Sequence, residues 1–168
     1  MIGETVYQPQ RDIAELMKLY DQEVREFPSI PDRVTLLLRA RLIFEEAMEF
    51  VEAAGCSVPL LDKGIGPYVV IDETAAPNLV EMADAIGDTL VVTYGAANAL
   101  GIQVEPVWDE IQRSNLSKVW PDGAIHKRED GKVIKPSTYS PAAIDGVLAQ
   151  QVDQYLQNLS NKAAAQWF

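Results

Sequence analysis

Two helix-length stretches of this chain carry carboxylates where a soluble helix would ordinarily bury apolar side chains. In residues 41–51, RLIFEEAMEFV, the acids are Glu45, Glu46 and Glu49; in residues 79–92, LVEMADAIGDTLVV, they are Glu81, Asp84 and Asp88. On a helix turning about 100° per residue, the first three fit within an arc of roughly 100° and the second three within roughly 60°. Each helix therefore presents an acidic stripe in apolar surroundings. Carboxylates crowded in this way repel one another and lose hydration, so the pattern asks for bound cations. A single Glu–Glu pair would be an ordinary solvent face; two stripes on helices this apolar are a stronger signal. The donor set is all oxygen, with no histidine or thiolate nearby, which favours Mg²⁺ or Mn²⁺ over zinc or copper. Several carboxylates can hold more than one ion, and paired metals about 3.5–4 Å apart serve phosphoryl displacement.

Periodicity sets the frame around the stripes. A first helix is expected over residues 10–26, where Ile13, Leu16, Met17, Tyr20 and Val24 recur at helical spacing. The break at residues 27–31 is followed by Asp32, a suitable N-cap for a helix from Arg33 to Ala54 that stops at Gly55. Apolar residues wrap most of its circumference, which predicts burial on several sides. Residues 56–77 hold Pro59, Gly64, Gly66 and Pro67 around a β-prone run at 68–71, and read as a loop with one short strand. A third helix begins near Asn78 and ends at Gly101, and a fourth spans Glu105 to Leu116. Turn signals PDG at 121–123 and EDG at 129–131 predict a hairpin-like arm over residues 117–136. A last helix runs from Pro141 to about Leu159, followed by a tail over 160–168. The expectation is one all-α domain over residues 1–168, a four- to five-helix bundle with a short hairpin-like arm after the fourth helix.

Charge is unevenly placed. The formal net charge is −11, which argues against a nucleic-acid or membrane-surface binder. Yet six of the 14 Lys and Arg (Arg113, Lys118, Lys127, Arg128, Lys132, Lys135) fall between residues 113 and 135. An acidic core is thus followed by a basic arm, either a solvated loop or a set of cations that meets a polyanion held at the acids. The single cysteine, Cys56, excludes an internal disulfide and reads as a small apolar filler compatible with a reducing cytoplasm. No apolar run approaches the roughly 20 residues of a spanning helix, and the opening residues MIGET do not start a signal peptide.

Rival chemistries fail on residue type. A carboxylate-bridged di-iron bundle needs Glu-x-x-His on its helices, and the only histidine, His126, sits in the arm and reads as a surface residue. No P-loop pattern occurs, and Gly64-Ile65-Gly66 lacks the third glycine and preceding strand of a dinucleotide fingerprint. EF-hand spacing is missing as well. Trp108 and Trp120 are able to stack on a base, but equally to pack in a core or against the arm.

The acidic segments EEAME (45–49) and EMAD (81–84) resemble the EExxE…ExxD signature of the all-α NTP pyrophosphatases, the MazG-like superfamily. The continuation from Asp84 through Asp88 to Gly95 is similar to its second motif helix. SNLSKVWPDG (114–123) and REDGKVIK (128–135) resemble the C-terminal segment of phage and bacterial MazG-like nucleotide pyrophosphohydrolases of the MazZ kind. The likeness covers roughly residues 10–145. The 31 residues between Glu49 and Glu81 make the interval slightly long for the superfamily; the surplus falls in the Pro/Gly loop, where extra length costs little.

The resemblance implies hydrolysis of a nucleoside triphosphate to the monophosphate and pyrophosphate. It implies two or more Mg²⁺ or Mn²⁺ ions held by Glu45, Glu46, Glu49, Glu81 and Asp84. Glu45 or Glu46 would orient the attacking water or take its proton. Asn115 and Lys118 would be the chief phosphate partners, Lys132 and Lys135 lesser ones, and Asp88 would stand behind the ligands or touch the base. It also implies a dimer or tetramer with shared active sites, and a bacterial or phage-infected host cytoplasm. The MazZ-like segment suggests a purine substrate such as dGTP or GTP. A non-catalytic helical module that binds metal-nucleotide as a sensor is the alternative, and an interaction protein without nucleotide a third reading.

Overall fold

The computed structural model describes residues 7–59 and 69–165. The middle of the predicted 56–77 loop and the last residues of the predicted tail lie outside these. Five helices dominate the described residues: α1 (Gln8–Leu19), α2 (Arg33–Ala53), α3 (Leu79–Leu100), α4 (Val104–Leu116) and α5 (Ile144–Ala165). The fold is the expected all-α helical bundle. Its only sheet among the described residues is a two-residue antiparallel pair, β1 (Cys56–Ser57) with β2 (Val70–Ile71), in the register Cys56↔Ile71 and Ser57↔Val70. The predicted short strand at 68–71 is therefore present in part, and its partner is the segment that holds the free Cys56.

The α2–α3 hairpin is the backbone of the molecule. Asp32 caps α2 by accepting from the Val34 and Thr35 N–H groups at 2.8 and 3.0 Å, and Asn78 caps α3 by accepting from Val80 at 3.0 Å. At the neck between the helices the Asn78 N–H donates to the Ala53 carbonyl (2.8 Å), and the Asp72 N–H to the Gly55 carbonyl (2.9 Å). With the β1–β2 pair these bonds fasten the base of the connection. Further along, a Cβ added to Gly95 of α3 would stand 3.1 Å from Arg39 Nη1 of α2. Ala53 thus faces Asn78 at one end and Arg39 faces Gly95 at the other, which fixes an antiparallel register.

Helix α1 ends earlier than its periodicity predicts. After Leu19 the chain enters a left-handed turn at Asp21 (φ 54°), with the Gln22 N–H on the Met17 carbonyl at 2.9 Å and the Asp21 N–H on Lys18 at 3.2 Å. This is a Schellman closure made on aspartate, one of the few non-glycine residues that tolerates the conformation. Residues 20–26 are therefore not helical, and Val24 belongs to a segment that hydrogen-bonds to α3 through Arg25 N–H and the Asn98 carbonyl (3.0 Å). Helix α3 closes in the same way on Gly101 (φ 70°), where the close approach of the Phe27 carbonyl, 2.0 Å from a would-be Cβ, excludes any side chain. Helix α5 starts three residues later and continues further than expected, to Ala165.

The core is small. Met17, Ala85, Ala96, Ala97 and Ala99 are its buried apolar residues among those described, joined by the buried amides of Gln10 and Asn98. Gln10 donates to Asn98 Oδ1 (3.0 Å) and the Ile102 carbonyl (2.7 Å), and accepts from the Val104 N–H (3.0 Å). That network ties α1 to the α3–α4 corner. The expectation of an α2 buried on several sides is not met within one chain: α2 has no buried residue, and Phe44 is 62% exposed. One face of α2 meets α3 and its end meets β1, while Val34, Leu37 and Phe44 remain exposed.

Candidate active site

The helix hairpin brings both acidic stripes to one place. Glu46 of α2 is half-buried, and one of its carboxylate oxygens, Oε2, is fully covered without a hydrogen-bond partner. Burial, and then the charges of Glu49, Asp88, Glu45 and Asp84, push its pKa above the ordinary carboxylate value. Four of the other five stripe acids, from both helices, therefore lie within electrostatic reach of this one group. The site is more open than the stripes predict: Glu45, Glu49, Glu81, Asp84 and Asp88 are exposed, and only Glu46 is partly withdrawn from solvent. None of the six side chains has a hydrogen-bond or ion-pair partner among the described residues. Nor do three of them converge into a ready-made metal cage.

The residues fit a hard divalent cation. A covered carboxylate oxygen without a donor is costly unless something positive meets it, and the available ligands are all carboxylates. No histidine or thiolate among the described residues competes for the site.

The basic arm is built quite differently. The SNLSK segment at 114–118 divides into two halves by role. Ser114 is buried and Ser117 receives the Ser140 N–H at 3.0 Å, so the two serines hold the returning chain against the end of α4. Glu110 accepts the Ala143 N–H at 2.7 Å and both donors of Arg113, and Arg113 also reaches the Pro141 carbonyl at 2.8 Å. These bonds hold Glu110 down from 4.5 to about 2, with Arg113 the leading cause. The other half is polar and available: Lys118 Nζ donates to Asn115 Oδ1 at 2.7 Å. Lys135 lies over the ring of Tyr139, 4.2 Å from its centroid. A hydrogen bond with Ser114, and then Lys135 and Lys118, hold the Tyr139 hydroxyl below its ordinary pKa.

Asn115, Lys118, Lys135 and Tyr139 thus form one cationic cluster, and Tyr139 is a member that sequence reasoning missed. Its signal was faint: a tyrosine four residues after a lysine in a Pro/Ser segment. Lys132 lies further out, where its backbone N–H donates to Asp130 at 3.1 Å. The predicted arm closes with Arg128 N–H on the Lys132 carbonyl (2.9 Å) and Ile134 N–H on His126 (2.8 Å). Trp120 pins it through Nε1 to the Ile134 carbonyl at 3.0 Å, while exposed His126 bonds Asp122 at 2.8 Å. Trp108 is 59% exposed, beside Tyr94 and Tyr7, rather than in the core. No hydrogen bond or ion pair joins the arm to the acidic stripes among the described residues.

Arg39, which with Arg41 is one of the two cations that the sequence sets near the stripes, makes contacts that the pattern does not reveal. It lies two turns before Glu46 on the same face of α2, half-buried, with Nη2 on Gln22 Oε1 at 2.8 Å and Nε without a partner. It has no carboxylate partner among the described residues, and burial lowers its pKa.

A helical hairpin with opposed carboxylate stripes, carried in an all-α bundle, defines a class of protein before any name is attached. Residues 13–115 match the phosphoribosyl-ATP pyrophosphohydrolase family, and the chain belongs to that family, within the MazG-like all-α NTP pyrophosphatase superfamily. Its class of activity is that of a nucleotide pyrophosphohydrolase, and members of the family are typically divalent-metal dependent. The match ends at Asn115, so the arm beyond it is outside the shared region. No curated protein matches the sequence.

Proposed function

We propose that the protein hydrolyses a purine nucleoside triphosphate, such as dGTP or GTP, to the monophosphate and pyrophosphate. The observation that carries this reading is the covered, partnerless oxygen of Glu46 in the field of carboxylates from both helices. Glu45, Glu46, Glu49, Glu81 and Asp84 would hold Mg²⁺ or Mn²⁺, with Asp88 behind them. Bound there, the cations would offset the phosphate charge and lower the pKa of the attacking water. Glu45 or Glu46, whichever keeps an oxygen free, orients that water toward the α-phosphorus and accepts its proton. Asn115 and Lys118 bind the phosphates, with Lys135 and Lys132 adding positive charge at longer range.

The arm and the acids would meet between chains. In support, α2 leaves Leu37, Phe44 and other apolar side chains exposed, and no hydrogen bond or ion pair among the described residues ties the arm to the stripes of its own chain. A dimer or tetramer with shared sites covers the first and joins the second. No helix of the described residues is long and apolar enough to cross a membrane, and a cytoplasmic nucleotide pool is the proposed setting.

The test is product analysis over ribo- and deoxyribonucleoside triphosphates and phosphoribosyl-ATP, the substrate in the family's name, with and without Mn²⁺. Pyrophosphate with the matching monophosphate is expected. Orthophosphate instead would mean attack at the γ-phosphorus and sink the reading; tight binding without pyrophosphate under any metal would favour a sensor. Chromatography with light scattering over a concentration range checks the assembly, and a stable monomer with full activity would remove the shared site.

A further inference from the structure

A cleft of about 380 Å³ lies on another part of the molecule, between α1, the segment after it, the α3–α4 corner and α5. Asn98, which lines it, is ten residues and about 15 Å along α3 from Asp88, so the cleft is separate from the acid hairpin. In a chain of net charge −11 its walls carry three cations against one carboxylate, Glu26: Arg11, which is bonded to Gln8, Arg25, which is paired with Glu23, and Lys18. Glu26 is itself engaged, as the hydrogen-bond partner of Tyr155. Arg25 spends one terminal nitrogen on Ser29 (3.1 Å) and the other on Glu23 (3.2 Å), while its Nε is covered and has no partner.

The floor of this cleft is already satisfied. Gln151 takes the Gln103 N–H at 2.9 Å and returns a bond to the Gln103 carbonyl at 3.0 Å, beside the Gln10–Asn98 pair. Such cross-linked amides hold the walls apart, so a ligand would meet a preformed site and lose little to ordering it. The volume falls within the roughly 300–1,000 Å³ of small-molecule sites and exceeds what a bare phosphate fills. At the far wall Gln154 Nε2 donates to Asn158 Oδ1 at 3.2 Å, and the Asn158 side-chain amide nitrogen has no partner among the described residues.

We infer that this cleft is a second binding site, for a small molecule that carries a phosphate monoester. The dianion answers Lys18, whose side chain has no hydrogen-bond or ion-pair partner among the described residues, in the added field of the Arg11 and Arg25 guanidiniums, and the amide wall takes the polar body of the ester. The inference does not depend on which triphosphate is hydrolysed, or on whether any is.

The full chain is stripped of metal with EDTA, so that the acid hairpin has no means of holding phosphate. It is then titrated with inorganic phosphate, sulfate, ribose 5-phosphate and guanosine monophosphate, by calorimetry and by amide NMR shifts. At least one ester is expected to bind more tightly than the inorganic ions and to shift the amides around Lys18, Arg25 and Asn158. Lys18→Glu should weaken that binding about ten-fold or more. Asn158→Asp, which keeps the side-chain shape and adds a like charge, should do the same if Lys18→Glu proves unstable. Glu46→Gln should leave it unchanged. Equal binding of sulfate and every phosphate would overturn the inference as a general anion effect. So would silence of all probes up to about 10 mM, or loss of ester binding in Glu46→Gln. Absence of pyrophosphate release, by contrast, would count against the proposed activity alone.

Discussion

The carboxylates of this protein have two opposite fates, depending on where the chain puts them. Asp32, Asp72, Glu110, Asp122 and Asp130 sit at helix caps, turns and the last turns of α4. Each is held below its ordinary pKa by a local donor: Thr35, Thr74, Arg113, the Ala124 N–H and Arg128 respectively. Glu46 sits in mid-helix and is pushed up, by burial and by its acidic neighbours. In the middle of α2 and α3 each backbone N–H is committed to a carbonyl four residues earlier, so none remains to serve a carboxylate. The two groups of acids have the same chemistry and opposite surroundings. One group builds the fold; the other waits for charge supplied from outside it.

The largest expected effect would sharpen that contrast. Glu46→Gln should lower turnover by at least about 100-fold, yet leave metal-free thermal stability equal or higher, since a repelling charge is gone. The Tm rise that Mg²⁺ or Mn²⁺ gives the wild-type protein should shrink at the same time. A Glu46→Gln variant that stays active, or that loses stability without metal, would break the comparison. The pH dependence follows with a definite sign. A carboxyl whose folded pKa is raised favours the folded state below its unfolded value of 4.5 and loses that contribution as pH rises through the folded value. The metal-free protein should therefore gain stability from this group as pH falls from neutrality, and saturating Mg²⁺ should flatten the gain.

Next in size is Lys118→Ala, which removes a phosphate partner and should cost about ten- to a hundred-fold in kcat/KM with little change in Tm. An unchanged kcat/KM would make Lys118 a solvated side chain bonded to Asn115 and nothing more. Smaller still is the acid response of Glu110. Its folded value of about 2 lies below the 4.5 of the free group, so its contribution is present above 4.5 and is lost as pH falls toward about 2. Protection of the Ala143 amide, measured against its intrinsic exchange rate at each pH, should fall over that interval. The smallest effect is expected of Asp130→Asn at the arm's exposed turn, where Tm and kcat/KM should hardly move; a large loss of activity would show that the arm's geometry matters as much as its charge.

Much of this was legible in the residues. Asp32, Asn78, Gly55 and Gly101 mark the ends of α2 and α3, because caps and left-handed closures are local chemistry written in residue type. The stripes were legible for the same reason: a helix fixes the face of Glu46 relative to Glu45 and Glu49. The early end of α1 was not, since Val24 continues the apolar rhythm and the stop is made by aspartate at a position where glycine is the usual signal. The contacts of Arg39 and the place of Tyr139 were not readable, because they depend on Gly95, Gln22, Ser114 and Lys135, met only after the chain has folded. How little of α2 is covered was also hidden: hydrophobic periodicity tells which face is apolar but not which molecule covers it.

The fastened neck between α2 and α3 has a practical consequence. The backbone bonds at Ala53 and Gly55, with the short ladder beside them, set the helix register before the intervening chain begins. The register of the two acidic helices is therefore held by bonds at the clasp itself. A reporter peptide spliced into the intervening chain should ride along without disturbing the grip beneath it.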